Sequence, residues 1–233
     1  MKQLIKIFFA MILVSGVNSA FADTQDRHLS GFHAVMVTGP FDVYITQGST
    51  ESVRVEAPGN IIDHIITEVK GDALIVRDKT LHFNWGDMFG NKKIAVYVTI
   101  KDVHNLSISG SGDVYFKEGL SAPNLQIDVT GSGDVQGKLN VKTLITKQSG
   151  SGDVKLSGTA ETSTVSLTGS GDFSGHGLVT ATTMVRTSGS GDAAVNATQR
   201  VDAHVSGSGD IRYTGGAKQV SSSTSGSGEV HRG

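Results

Sequence analysis

The 233-residue chain contains no cysteine, three prolines and one tryptophan. Without Cys there is no disulfide framework and no lipid attachment through an N-terminal Cys, so the fold stands on packing and backbone ladders alone. There is no Lys/Arg-rich run: 20 basic residues are dispersed against 22 acidic ones, for a formal net charge of −2. That argues against a nucleic-acid binder and against a polybasic patch for anionic lipid. No segment of the chain approaches the roughly 20 apolar residues that cross a bilayer as a helix. The eight histidines share no metal-site spacing. No nucleophile elbow follows from Gly110-Ser111-Gly112, because the second Gly comes at once, in a strand–turn–strand context.

The first 22 residues separate from the rest. Met1, Lys2 and Lys6 make a short basic start, an apolar run follows from Ile7 to Val14, and small residues lead to Ala20-Phe21-Ala22. This is the pattern of a secretory signal peptide and predicts cleavage after Ala22. Removing residues 1–22 leaves 18 basic against 22 acidic residues, a net charge of −4. The 211 residues left suit one domain or one continuous repeat array.

Glycine is abundant, at 30 residues, and 14 of these fall in one motif. Gly-Ser-Gly followed by an acid starts at Gly110, Gly131, Gly150, Gly169, Gly189, Gly207 and Gly226, in steps of 21, 19, 19, 20, 18 and 19 residues. A period near 20 marks a solenoid, in which each unit buries its apolar side against its neighbours. Four residues after each first Gly stands Val114, Val135, Val154, Phe173, Ala193, Ile211 or Val230, all apolar. Before the turns, pairs such as Leu106/Ile108 and Ile127/Val129 alternate with polar residues, as in a strand with one buried face. The unit therefore reads strand, tight turn, strand, and the fold class is an all-β parallel solenoid with coils of roughly 19 residues.

The two glycines bracketing Ser permit a sharp reversal, and the acid can accept hydrogen bonds from backbone N–H groups at the turn. Ser or Thr precedes every motif, which predicts a hydroxyl ladder along the turn edge. Coils about 4.8 Å apart would number about 11, a rod about 50 Å long, if the first half of the chain winds as the second does. Residues 23–105 hold short β-rich runs, including Val35-Met36-Val37, Val53-Arg54-Val55 and Leu74-Ile75-Val76, and read as opening coils plus a cap. Residues 106–233 form the repeat region of the same solenoid.

Several of these stretches carry a resemblance. Phe32-His33-Ala34-Val35-Met36-Val37, Phe41-Asp42-Val43-Tyr44-Ile45-Thr46-Gln47-Gly48, Ile66-Thr67-Glu68-Val69, Leu74-Ile75-Val76 and the entry Leu106-Ser107-Ile108-Ser109-Gly110-Ser111-Gly112-Asp113 make the chain resemble the head GIN domain family of autotransporter adhesin heads. The resemblance covers nearly all of residues 23–233. It implies a right-handed parallel β-helix, similar to pectin-lyase-like folds but without their catalytic residues, and a role in cell adhesion. The sequence shows no translocator barrel and no heptad stalk, so periplasmic or freely secreted locations stand beside surface anchoring.

Two candidate sites follow. The acids Asp113, Asp134, Asp153, Asp172, Asp192, Asp210 and Glu229 should stack as a ladder. Carboxylates about 4.8 Å apart repel by roughly 1 kcal/mol in water, so something must offset the column. Backbone N–H donors would make these structural turn residues, whereas bound Ca²⁺ would make them a cation ladder. One acid per coil is few for an ion that takes six to eight oxygens, which favours the structural role. The second candidate is the loop with Phe83, Trp85 and Phe89, whose aromatics either contact a ligand or cover the solenoid. The outward column Ser107, Asp128, Lys147, Ser166, Arg186, His204 and Ser223 is chemically mixed and offers no array for a periodic ligand. Inward positions turn polar at Thr146, Gln148, Thr187, Ser222 and Thr224. The last coil has no recognisable cap, so its edge is a candidate for end-to-end self-association.

The expected function is an exported adhesion or binding module for a surface glycan or protein, with no catalytic residue, no nucleic-acid partner and no transmembrane segment after the signal. The competing class is an exported carbohydrate-active enzyme on a pectin-lyase-like frame. An enzyme would need clustered acids and a base in a groove, and no residue set meets that pattern.

Overall fold

The computed structural model describes residues 23–79 and 94–233. It is an all-β parallel solenoid whose stacked coils of about 19 residues make about seven turns. The helical exception among the described residues is one turn, α1 (Gly59–Ile62). No helix among them is long and apolar enough to cross a membrane.

The regular coils are long strands that bend around the core: β9 (Val114–Gly131), β10 (Val135–Gly150), β11 (Val154–Gly169), β12 (Phe173–Gly189) and β13 (Ala193–Gly207). In β10 the inward residues are Val135, Gly137, Leu139 and Val141, then Leu144, Thr146 and Gln148. The phase of the alternation slips by one at Lys142-Thr143, which is the corner between a post-turn arm and a pre-turn arm. The opposite corner is the Gly-Ser-Gly-Asp turn itself. Each strand pairs in parallel with the next, and β14 (Ile211–Thr214), β15 (Gln219–Gly226) and β16 (Val230–Arg232) continue the stack. Residues of β15 are exposed throughout. A single continuous core runs inside the stack, with Phe32, Phe41, Phe116 and Phe173 among its largest wholly buried side chains.

The first half winds differently from the regular coils. Strands β2 (Ala34–Gly39) and β3 (Asp42–Gln47) form a coil in register with β8 (Asn105–Gly110) and the start of β9. On their other side lie β6 (Ala73–Asp78) and β7 (Ala95–Ile100), also parallel. Stack order therefore departs from chain order. The three other strands, β1 (Asp23–Arg27), β4 (Ser52–Ala57) and β5 (Ile65–Lys70), pair antiparallel and flank that outer coil. The count of about 11 coils expected from uniform winding thus becomes about seven, or roughly 35 Å of stack at about 4.8 Å per coil. Alternation of apolar residues sets which face is buried but carries no information on strand direction, so the antiparallel strands looked like further coils.

At the turns both glycines pack closely on the neighbouring coil, and the first carries a second requirement. The first of each motif, from Gly110 (φ +136°) to Gly226 (φ +120°), sits in the left-handed region that other residues avoid. The second needs no positive φ. A Cβ on Gly152 would run into the carbonyl oxygen of Gly133 in the neighbouring coil, so this position is held by close stacking. The first Gly of each motif from Gly110 to Gly207 also accepts for two: the carbonyl of Gly110 takes the N–H groups of Ser132 (2.8 Å) and Gly133 (3.1 Å). The turn column begins one coil earlier than the motif, at Gly39 (φ +134°), which pairs in register with Gly110.

Candidate functional site

The acidic residues leave the turns side by side on successive coils, and their carboxylates are engaged with backbone. The N–H of Asp134 donates to Oδ1 of Asp113 at 2.9 Å, that of Asp153 to Asp134 at 2.8 Å, and that of Asp172 to Asp153 at 2.8 Å. The series continues through Asp192 to Asp172 (2.8 Å), Asp210 to Asp192 (2.7 Å) and Glu229 to Asp210 (2.9 Å). Six carboxylates thus each hold the N–H of the next coil, a charge-assisted bond that offsets part of the repulsion within the column. Because Gly39-Pro40-Phe41-Asp42 is the same turn in another spelling, Asp42 stands at the head of this column, and sequence reasoning missed it. Among the described residues, no group of three His, Asp or Glu side chains gathers as metal ligands do.

Next to the ladder, the outward side of the post-turn arms carries three aromatic rings in a row. Register places Tyr97, Tyr44 and Tyr115 on adjacent strands of three coils. Tyr44 stacks on Tyr97 with centroids 5.2 Å apart at 19°, and on Tyr115 at 5.2 Å and 17°. Offset stacking of this kind contributes about 0.5–1.5 kcal/mol per pair beyond burial. The ends of the row are cationic: Arg54 lies 4.8 Å from the Tyr97 ring and Lys117 lies 5.4 Å from that of Tyr115. The Tyr115 hydroxyl donates to Oδ2 of Asp113 at 2.9 Å. Burial, then the Asp113 carboxylate, push that hydroxyl well above the usual tyrosine range, and burial with Glu56 raises that of Tyr97. Both phenols therefore stay protonated hydrogen-bonding groups at ordinary pH.

Farther along the same face lies a hollow of about 260 Å³ lined by Asp172, His176, Asp192, Asp210, Arg212 and His231 among others. It is small beside the roughly 300–1,000 Å³ of typical small-molecule sites. On the pre-turn arms, Ser107, Asp128, Lys147, Ser166, Arg186, His204 and Ser223 do line up coil by coil, in the mixed order the sequence gives them. The Ser and Thr residues before the motif, Ser109, Thr130, Ser149, Thr168, Ser188, Ser206 and Ser225, are likewise in register. Phe83, Trp85 and Phe89 lie outside the described residues.

Inside the stack, Thr146, Gln148 and Thr187 are buried, whereas Ser222 and Thr224 on β15 are exposed. The Gln148 amide donates to the carbonyl of Gly152 at 2.5 Å. The hydroxyls of Thr146 and Thr187 find no partner among the described residues.

A rigid parallel solenoid with one extended, side-chain-rich outward face defines a class of protein: a scaffold that displays a surface. The chain belongs to the family described as "Putative auto-transporter adhesin, head GIN domain", whose model matches residues 31–217. Among solved structures, it is similar to a "putative adhesin" of Bacteroides fragilis, at 29% identity and a TM-score of 0.85, over 90% of this chain and 96% of that one. A "putative adhesin" of Parabacteroides merdae shares the fold at 21% identity and a TM-score of 0.69, over 92% and 97% of the two chains. A "putative lipid binding protein" of Parabacteroides distasonis does so at 22% and 0.71, over 92% and 98%. No curated protein of assigned function matches the chain.

Proposed function

We propose that the protein is an exported, non-enzymatic adhesion module of the cell envelope that presents the outward face of its post-turn arms to a glycan or protein on a surface. The observation that carries this reading is the row Tyr97-Tyr44-Tyr115, held at 5.2 Å spacing on adjacent coils and flanked by Arg54 and Lys117. Aromatic and cationic side chains on a rigid sheet lose little conformational freedom on binding, which is why such residues dominate recognition surfaces. The signal-like residues 1–22 and the adhesin family support export, to the periplasm, the outer surface or the medium. The non-enzymatic reading is supported by the way the acids are used. From Asp113 to Asp210 the acids serve here as structural turn residues, each of these six carboxylates occupied by a neighbouring N–H.

The test is retention of the purified protein on cells and on a glycan array, with the ligand recovered and analysed afterwards. Wild type is retained and leaves its ligand intact, while Tyr44→Ala, which empties the middle of the stack, is retained severalfold less. Release of unsaturated or reducing sugars would replace this reading with that of a carbohydrate-active enzyme.

A further inference from the structure

The coils differ in length, and the differences are absorbed away from the glycine corner, in the post-turn arms and, between β12 and β13, also at the corner that follows, where Thr180 pairs with Ala197 and Thr182 with Arg200. The pre-turn arms stay in register from β9 to β13. The post-turn arms do not. Between β9 and β10 the pairing runs Phe116 with Gly137 and then Leu120 with Leu139, so Lys117-Glu118-Gly119 stand against Lys138 alone. Between β11 and β12 it runs Lys155 with Ser174 and then Ser157 with Gly177, so Gly175-His176 stand against Leu156. Strands β10 and β11, which lie between these two bulges, pair without any shift. Bulges re-aim side chains and concentrate beside functional sites. Here the two bulged strands, β9 and β12, flank β10 and β11, and the four together form one floor.

That floor is a hollow of about 450 Å³, within the range of ligand sites. It extends over four coils, or about 14 Å at about 4.8 Å per coil. Each coil gives it one cationic or protonatable side chain: Lys117 from β9, Lys138 from β10, Lys155 from β11 and His176 from β12. All four are exposed, and among the described residues no carboxylate lines the hollow. None of the three lysines has an ion-pair partner among the described residues, so a cationic strip stands open on a protein whose net charge is −2. Between the cations the floor presents neutral hydrogen-bonding groups, Gln136, Ser157 and Ser174. At the β9 end, Lys117 connects the strip to the Tyr115 ring.

The geometry points to an acidic oligosaccharide, of sugars that carry one carboxylate each, as the ligand of this hollow. The assignment rests on the adhesion reading and names its ligand class. Single positive charges repeating once per coil complement single negative charges repeating along a chain, and the polar floor suits sugar hydroxyls. The tyrosine row extends the track beyond the charged part. A nucleic acid fits less well: its denser charge would run past the three lysines onto the flanking column of aspartates and meet repulsion there.

The probe is a size-graded set of oligouronates, with the methyl-esterified oligomers as neutral controls, titrated calorimetrically into the purified protein. Expected is saturable binding that strengthens with length up to the span of the hollow, weakens on raising the ionic strength and is lost on esterification. The exposed double variant Lys138→Ala/Lys155→Ala is expected to bind about tenfold more weakly, as the loss of two surface ion pairs predicts. Its melting temperature should be unchanged, and Lys138→Arg/Lys155→Arg should restore binding. Equal binding of esterified oligomers, tighter binding of a single-stranded DNA oligomer, or an unaffected double variant would each overturn the assignment. Absence of oligouronate binding by a protein that cells do retain removes this ligand and leaves the adhesion reading standing. Absence of both removes both.

Discussion

Thr187 occupies an inward position between Leu167 and Val205 on the neighbouring coils, and its hydroxyl has no partner among the described residues. A buried hydroxyl without a hydrogen bond costs about 1–3 kcal/mol relative to one that is satisfied. Thr187→Val keeps the shape, removes the orphaned group and restores the apolar column. It should raise the unfolding free energy by about 1 kcal/mol, read as a shift in the denaturant midpoint at constant slope. Such single positions were open to sequence reading in kind but not in consequence. Thr146, Gln148 and Thr187 stood out as polar on the inward face, yet the sequence could not show that Gln148 reaches the Gly152 carbonyl while the Thr187 hydroxyl reaches no partner among the described residues.

At the scale of the turn, the fold was legible because seven spellings of one motif fix the same corner, and the apolar residue after each one fixes the next arm. What each glycine is needed for was not legible, because close stacking, which both require, and positive φ, which the first requires besides, read simply as Gly. The two can be separated. Gly152→Ala places a Cβ against the backbone of Gly133 and should destabilise the protein by about 1–3 kcal/mol, whereas Ser151→Ala, on the exposed apex between the same glycines, should stay within about 0.5 kcal/mol. Equal effects by thermal melting would show that the inter-coil contact is not what holds the second glycine. Asp42 escaped for a related reason: its turn reads Gly-Pro-Phe-Asp, and only the register of Gly39 with Gly110 reveals the kinship.

Over the whole molecule, the column from Asp42 to Glu229 concentrates negative charge along one corner while the N–H groups of successive coils take up six of its carboxylates. With each Oδ1 so occupied, melting curves recorded with Ca²⁺ and with EDTA should superimpose. A large saturable rise with Ca²⁺ would make the corner an ion site, since a ligand that binds only the native state stabilises it. The cationic strip beside it shows where sequence reading ends. Lys117, Lys138, Lys155 and His176 are 21, 17 and 21 residues apart, so no window along the chain reveals a cluster. Winding brings them together: Lys117, Lys138 and His176 each stand seven residues after the first Gly of their motif, whereas Lys155 stands five after Gly150 and pairs with Gln136.

Those bulges have a consequence for how such a protein can change. Because the glycine corner and the pre-turn arms keep one register from coil to coil, a residue added to or removed from a post-turn arm is felt on that flank and scarcely anywhere else. The frame behaves like a ruled page on which only one margin is ragged. A lineage can redraw the ragged margin, lengthening one coil or recharging another, while the ruling that makes the chain fold stays where it was.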